Sequence, residues 1–156
     1  MNPAKIGDRL PDFALPDQNG AIVTRDALLA RGALVLFFYP KDDTPGCTRE
    51  VCAFRDAFEA FSDAGVNVAG VSSDDVAAHE RFAQRHRLPF ILLSDKGGGL
   101  RKQLGVPKTL GFVPGRVTYV VDRTGTIRHI FSSQFQPERH IAEALSLLGD
   151  VCARAM

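Results

Sequence analysis

The chain carries almost no net charge: nineteen Lys and Arg stand against eighteen Asp and Glu, which leaves +1. So small a charge sets up no field to gather a phosphate backbone or an anionic bilayer, so nucleic acid is not an expected partner. Long apolar runs are also lacking. The longest, Ala33 to Tyr39 and Leu88 to Leu93, fall far short of the roughly 20 residues a membrane helix needs, so no membrane span is expected. The first twenty residues, MNPAKIGDRLPDFALPDQNG, place charges and prolines where a signal peptide needs an unbroken apolar stretch. With no export signal, a cytoplasmic location is the default expectation. Cysteine is scarce: Cys47, Cys52 and Cys152 are the whole supply, odd in number and too uneven for a disulfide-stapled scaffold. In a reducing compartment such thiols point to reactive chemistry.

What remains is ordinary globular material. The 156 residues are 45% hydrophobic and 24% charged, with no repeat, low-complexity segment or linker, which fits a single domain spanning 1–156. The run Ala33 to Tyr39, ALVLFFY, reads as a central strand buried on both faces and stopped by Pro40. KDDTPGC is turn chemistry. From Thr48 onward Val51, Phe54, Phe58 and Phe61 recur at three- and four-residue spacing, an amphipathic helix ending near Gly65, with Cys47 at its N-terminus. Val66 to Val71 and Pro89 to Leu93 read as strands separated by a helix from Asp74 to Arg87. A short helix near Leu100 to Leu104 follows, then a hairpin of GRVTYVVD and TIRHIFS, and a last helix from Pro137 to about Leu148. This order describes an α/β fold of thioredoxin-like type, a mixed central sheet flanked by helices.

The chemistry concentrates at Cys47. A thiol at a helix N-terminus faces unpaired N–H groups and the positive end of the dipole, both of which favour the thiolate, its reactive form. Thr44, three residues upstream, can cap the helix or offer its hydroxyl to the sulfur or a substrate oxygen. Pro40 lacks an N–H and can shield the sulfur from water, though ending a strand explains it equally well. Cys52 lies five residues after Cys47, which on an intact helix separates the Cα atoms by about 8–9 Å. A disulfide tolerates at most about 7 Å, so a bond between them requires the start of the helix to unwind. Spacing alone leaves two readings of Cys52 open, a redox partner or a packing residue beside Val51.

FFYPKDDTPGCTREVCAFRD resembles the active-site segment of peroxiredoxins, whose pattern Pro-x-x-x-Thr-x-x-Cys is met by Pro40, Thr44 and Cys47. The second cysteine in GCTREVCAFRD is similar to that of the peroxiredoxin Q class, also called bacterioferritin comigratory protein. The likeness continues through GVSSDD, LPFILLSD, PGRVTYVVDRTG and SQFQPERHI, from about Ile6 to Leu148. It implies that Cys47 is the peroxidatic cysteine, oxidised to a sulfenic acid, and Cys52 the resolving cysteine that condenses it to a disulfide before further oxidation. Arg116 matches the arginine that the family brings to the active sulfur, where its guanidinium stabilises thiolate and developing oxyanion. Without that likeness Arg116 reads as a solvated charge at a strand start. Glu50 can orient a basic group there or simply answer the helix dipole.

The implied activity is a thiol-dependent peroxidase reducing hydrogen peroxide and organic hydroperoxides without a cofactor. It acts as a monomer recycled by thioredoxin, with glutaredoxin or glutathione as substitutes. The alternative is a peroxide sensor that relays its disulfide to client proteins. Cys152 has no counterpart in the family pattern. His79, His86, His129 and His140 are scattered along the sequence, and His79-Glu80 lacks the second His of a zinc-binding helix, so no metal is expected. Arg85, His86 and Arg87 read as a solvated helix end.

Overall fold

A computed structural model describes residues 3–106, 108–109, 113–132, 136 and 138–147. Its centre is a five-stranded sheet. Strand β3 (Ala33–Phe38) lies in the middle, parallel to β4 (Val66–Ser72), which pairs in parallel with β5 (Ile91–Ser94). On its other side β3 runs antiparallel to β8 (Val117–Val121), and β8 antiparallel to β9 (Ile127–Ser132). The parallel half follows from helical crossovers: α2 (Pro45–Asp63) connects β3 to β4, and α3 (Val76–His86) connects β4 to β5. The α/β class and the mixed sheet match the sequence expectation.

The apolar run of β3 is buried at every position, because helices cover both faces. Val35, Phe37 and Tyr39 join Val51, Phe54 and Phe61 of α2, Phe82 of α3, and Ile141 and Ala144 of α5 (Arg139–Ser146) in one core. Leu34, Leu36 and Phe38 point the other way. They pack with Leu28 and Leu29 of α1 (Arg25–Leu29) and Leu100 and Leu104 of α4 (Gly99–Leu104). The period-2 alternation of a strand thus feeds two cores at once.

Two pieces were not foreseen. A small N-terminal hairpin of β1 (Ala14–Pro16) and β2 (Ile22–Thr24) leads into α1, and β6 (Lys108–Thr109) pairs with β7 (Val113–Pro114). Strands of two or three residues leave too little alternation to read. Boundaries also moved. The active-site helix begins at Pro45 rather than Thr48, with proline in the first turn where its missing N–H costs nothing. The strand expected from Pro89 starts at Ile91, and α5 starts at Arg139; Pro137, Leu148 and Cys152 lie outside the described residues.

Phe37 holds α2 against the sheet. Its ring stacks on Phe54 with centroids 4.3 Å apart and meets Phe90 edge-on at 5.8 Å. Gly70 on the adjacent strand makes room for it, since a Cβ there would come within 2.7 Å of the Phe37 ring. Phe37→Ala is expected to cost about 3–5 kcal/mol of stability, measured as a shift in the denaturant midpoint. A cost below about 1 kcal/mol would mean that neighbouring side chains refill the space.

Candidate active site

Three chain segments meet at Cys47. β3 delivers the chain to Pro40, which is half-buried directly after the strand, and the loop Pro40–Thr44 turns it into α2. Thr44 is the residue before the first helical turn, as expected. Its hydroxyl, however, donates to the Lys41 carbonyl at 2.8 Å and makes no capping bond to α2. Cys47 is the third residue of the helix, 1% exposed. The first N–H groups of a helix have no acceptor within it, so they and the dipole face the region of the sulfur.

Arg116 arrives from the far part of the sequence through strand register. Phe38 pairs with Val117, so the residue before β8 lies level with the end of β3, where the loop to Cys47 begins. There Arg116 is 5% exposed; its Nη2 donates to the Cys47 Sγ at 3.5 Å and its Nη1 to Glu50 Oε1 at 2.5 Å. Reading it as a solvated charge is thereby corrected. Gly46 lets the guanidinium approach the helix so closely, because a Cβ at Gly46 would stand 3.1 Å from Nη2.

Glu50 is fully buried. Burial pushes its carboxyl up to about 8 against the opposing pull of Arg116. Burial works against the charge on Arg116, but Glu50 and Cys47 beside it hold its pKa raised. Behind them, the buried His140 of α5 lies with Nδ1 2.7 Å from Thr118 Oγ1 and 3.6 Å from Glu50 Oε2. The sequence offered no signal for His140 or Thr118 as supports, because His140 stands 22 residues from Thr118 and 90 from Glu50 along the chain and meets them only in space.

The loop before the cysteine is anchored by a second polar cluster. Tyr39 OH donates to Asp42 Oδ1 at 2.5 Å, and the two ring nitrogens of the fully buried His79 lie 2.6 Å from Asp42 Oδ2 and 3.0 Å from the Leu93 carbonyl. Asp42 N–H and Ser72 Oγ both donate to Asp74 Oδ2. His79, apart from the other histidines in sequence, is not isolated in space: Asp42, Asp74 and His79 bring possible metal-ligating atoms within 4.8 Å of one another. Each of those side chains already serves a hydrogen bond that fastens the loop to α3 and to the ends of β4 and β5.

Cys52 points elsewhere. Both it and Cys47 are free thiols, Cys47 buried and Cys52 half-buried. The Cys52 Sγ lies 3.6 Å from His86 Nδ1 on α3, whereas Cys47 faces Arg116, the residue just before β8. Burial pushes the Cys52 thiol up, with Arg55 pulling it down and Asp56 raising it further. The end of α3 is solvated at Arg85 and Arg87 as expected, with Arg85 paired to Asp43 at 2.9 Å, whereas His86 is half-buried and its carbonyl accepts from Arg55 Nη1 at 2.9 Å. Among the described residues no helix is long and apolar enough to cross a membrane.

The family model described as the AhpC/TSA family matches residues 6–130. A curated relative, peroxiredoxin Q, chloroplastic, from Oryza sativa subsp. japonica, is 49% identical over 143 residues, 91% of this chain and 65% of that protein. This chain thus spans just under two thirds of that relative's length. The crystal structure of peroxidoxin BcpB from Mycobacterium tuberculosis superposes with a TM-score of 0.87 at 39% identity, covering 94% of this chain and 97% of that one. A structure of the Xanthomonas campestris bacterioferritin comigratory protein, whose subject is alkyl peroxide reduction, gives 0.77 at 27% identity with 92% of each chain covered. The cytoplasmic expectation is overturned by the plant relatives, which are named chloroplastic. It rested on the lack of an apolar leader, and plastid-targeting segments are amphipathic rather than apolar.

Proposed function

The chain belongs to the AhpC/TSA family, with relatives named peroxiredoxin Q, and on that basis we propose that it is a thiol peroxidase acting on hydrogen peroxide and organic hydroperoxides. The observation that carries this reading is the Arg116 guanidinium donating to the Cys47 sulfur at a helix N-terminus. A positive group and unpaired N–H donors converge where negative charge resides on sulfur and then develops on oxygen. In the first step the Cys47 thiolate attacks one peroxide oxygen, the O–O bond breaks, and the departing oxygen takes a proton to leave as water or an alcohol. Cys47 becomes a sulfenic acid.

In the second step the Cys52 sulfur attacks the Cys47 sulfur, forming the disulfide and releasing water. The two thiols face different neighbours, Arg116 and His86, and lie five residues apart on one helix, so the start of α2 unwinds for the bond to form. Thioredoxin, or glutaredoxin in its place, then reduces the disulfide by thiol exchange, and the enzyme works as a monomer. Thr44 and Pro40 shape the entrance to Cys47. Peptide mapping after one equivalent of peroxide tests the pairing directly, the expected product being a Cys47–Cys52 bond.

Cys52→Ser is expected to complete one round of peroxide reduction and then stop, because among the described residues no other thiol is left to convert the sulfenic acid into a form thioredoxin recycles. Steady-state peroxide consumption with a thioredoxin system checks it. Sustained wild-type turnover in this variant would remove Cys52 from the cycle and direct attention to Cys152. The same assay separates an enzyme from a sensor, which would saturate after about one equivalent per active thiol.

A further inference from the structure

His86 is the group in contact with the Cys52 thiol that the chemistry above leaves without a task. Its Nδ1 lies 3.6 Å from Cys52 Sγ, within reach of a sulfur hydrogen bond. The ring stands edge-on to Phe82 with centroids 4.9 Å apart, and the backbone that carries it is tied to α2 by Arg55, which donates to the His86 carbonyl. His86 and Cys52 are both half-buried, so the pair is ordered yet still open to exchange protons with water. His86 is also the last residue of α3, where the helix dipole favours positive charge.

We infer that His86 is the general base that deprotonates Cys52 for its attack on the Cys47 sulfenic acid. The inference rests on the resolving role proposed for Cys52 and gives that role its missing step. Burial keeps the Cys52 thiol protonated beyond its ordinary range, whereas the thiolate is the attacking species. The proton passes from Cys52 Sγ to His86 Nδ1. The Cys52 thiolate then displaces hydroxide from the Cys47 sulfenic acid as the helix start unwinds; hydroxide takes a proton from solvent, and His86 returns its proton to solvent. The sum is one thiol and one sulfenic acid consumed, one disulfide and one water formed.

The charged groups around the pair are accounted for. From α2, Arg55 faces both the His86 carbonyl and Cys52, and Asp56 is paired to Arg55 at 3.0 Å. On α3 itself Arg85 is engaged with Asp43 and Arg87 is exposed. His86 Nδ1 therefore meets the thiol directly, and Arg55 favours the thiolate that results.

The test follows the disulfide-forming step alone, by rapid alkylation and mass measurement after one equivalent of peroxide, from about pH 6 to pH 8.5. Wild type, His86→Ala and His86→Gln are compared. Both variants are expected to slow this step on the order of 10²-fold at neutral pH. Their rates should climb about tenfold per pH unit where the wild-type rate levels off, as direct deprotonation by hydroxide requires. Added imidazole should restore part of the rate in His86→Ala. Unchanged rates and pH profiles in both variants overturn the inference. So does equal slowing at every pH that His86→Gln repairs and imidazole does not, since that pattern belongs to packing. A wild-type map without a Cys47–Cys52 bond would instead fell the resolving reading itself, and this one with it.

Discussion

Cys47→Ser is expected to reduce peroxide turnover to the uncatalysed background, a fall of at least about 10⁶-fold. A serine oxygen fits the same 1% exposed position and can accept from the same Arg116 Nη2, so the fold and the electrostatic frame survive. What is lost is the proposed nucleophile: a hydroxyl is a far weaker acid than a thiol, and oxygen does not make the sulfenate that the proposed cycle needs. The check is peroxide consumption with the reductant in excess, alongside a thermal unfolding midpoint close to the wild type. Retained turnover in this variant would transfer the peroxidatic role to another thiol.

The second large effect is expected at Arg116. Arg116→Met keeps most of the buried volume but removes the donor to sulfur, and should lower kcat/KM for peroxide by about 10²–10³-fold. The defect should appear in the rate of sulfenic acid formation and not in the later disulfide step, because the guanidinium touches Cys47 and not Cys52. Glu50 decides whether the variant folds. Burial pushes its carboxyl up to about 8 even with Arg116 beside it, so without Arg116 it stays protonated at neutral pH and leaves no unpaired buried charge. Arg116→Lys should recover only part of the rate, since one ammonium cannot replace two separate N–H arms reaching Glu50 and Cys47. Undiminished sulfenic acid formation in Arg116→Met would show that the helix N-terminus suffices.

These effects fall on residues with different legibility. Cys47 could be placed at a helix start from KDDTPGC and the phenylalanine spacing after it, because turn chemistry and 3.6-residue periodicity are local signals. Arg116 was legible only through the resemblance to a family; nothing around it distinguishes it from a surface cation until strand register sets it beside Cys47. Thr44 was placed correctly by its position, but its hydroxyl bonds to Lys41 instead of capping. The Asp42–His79 pair spans 37 residues and the Cys52–His86 contact 34. No periodicity links such residues, so histidines that looked scattered proved to be joined to the active-site loop and to the second thiol.

The amino-acid sequence by itself determined the order of the central-sheet strands and of the helices between them, the two-sided burial of β3 and the placing of a thiol at a helix N-terminus. All three follow from side-chain periodicity and turn residues, which act within one element. The tertiary structure alone decided which charges meet that thiol and which histidine meets the other. Such pairings depend on sheet register and helix packing, and these are set by how the two cores close and not by any short stretch of chain.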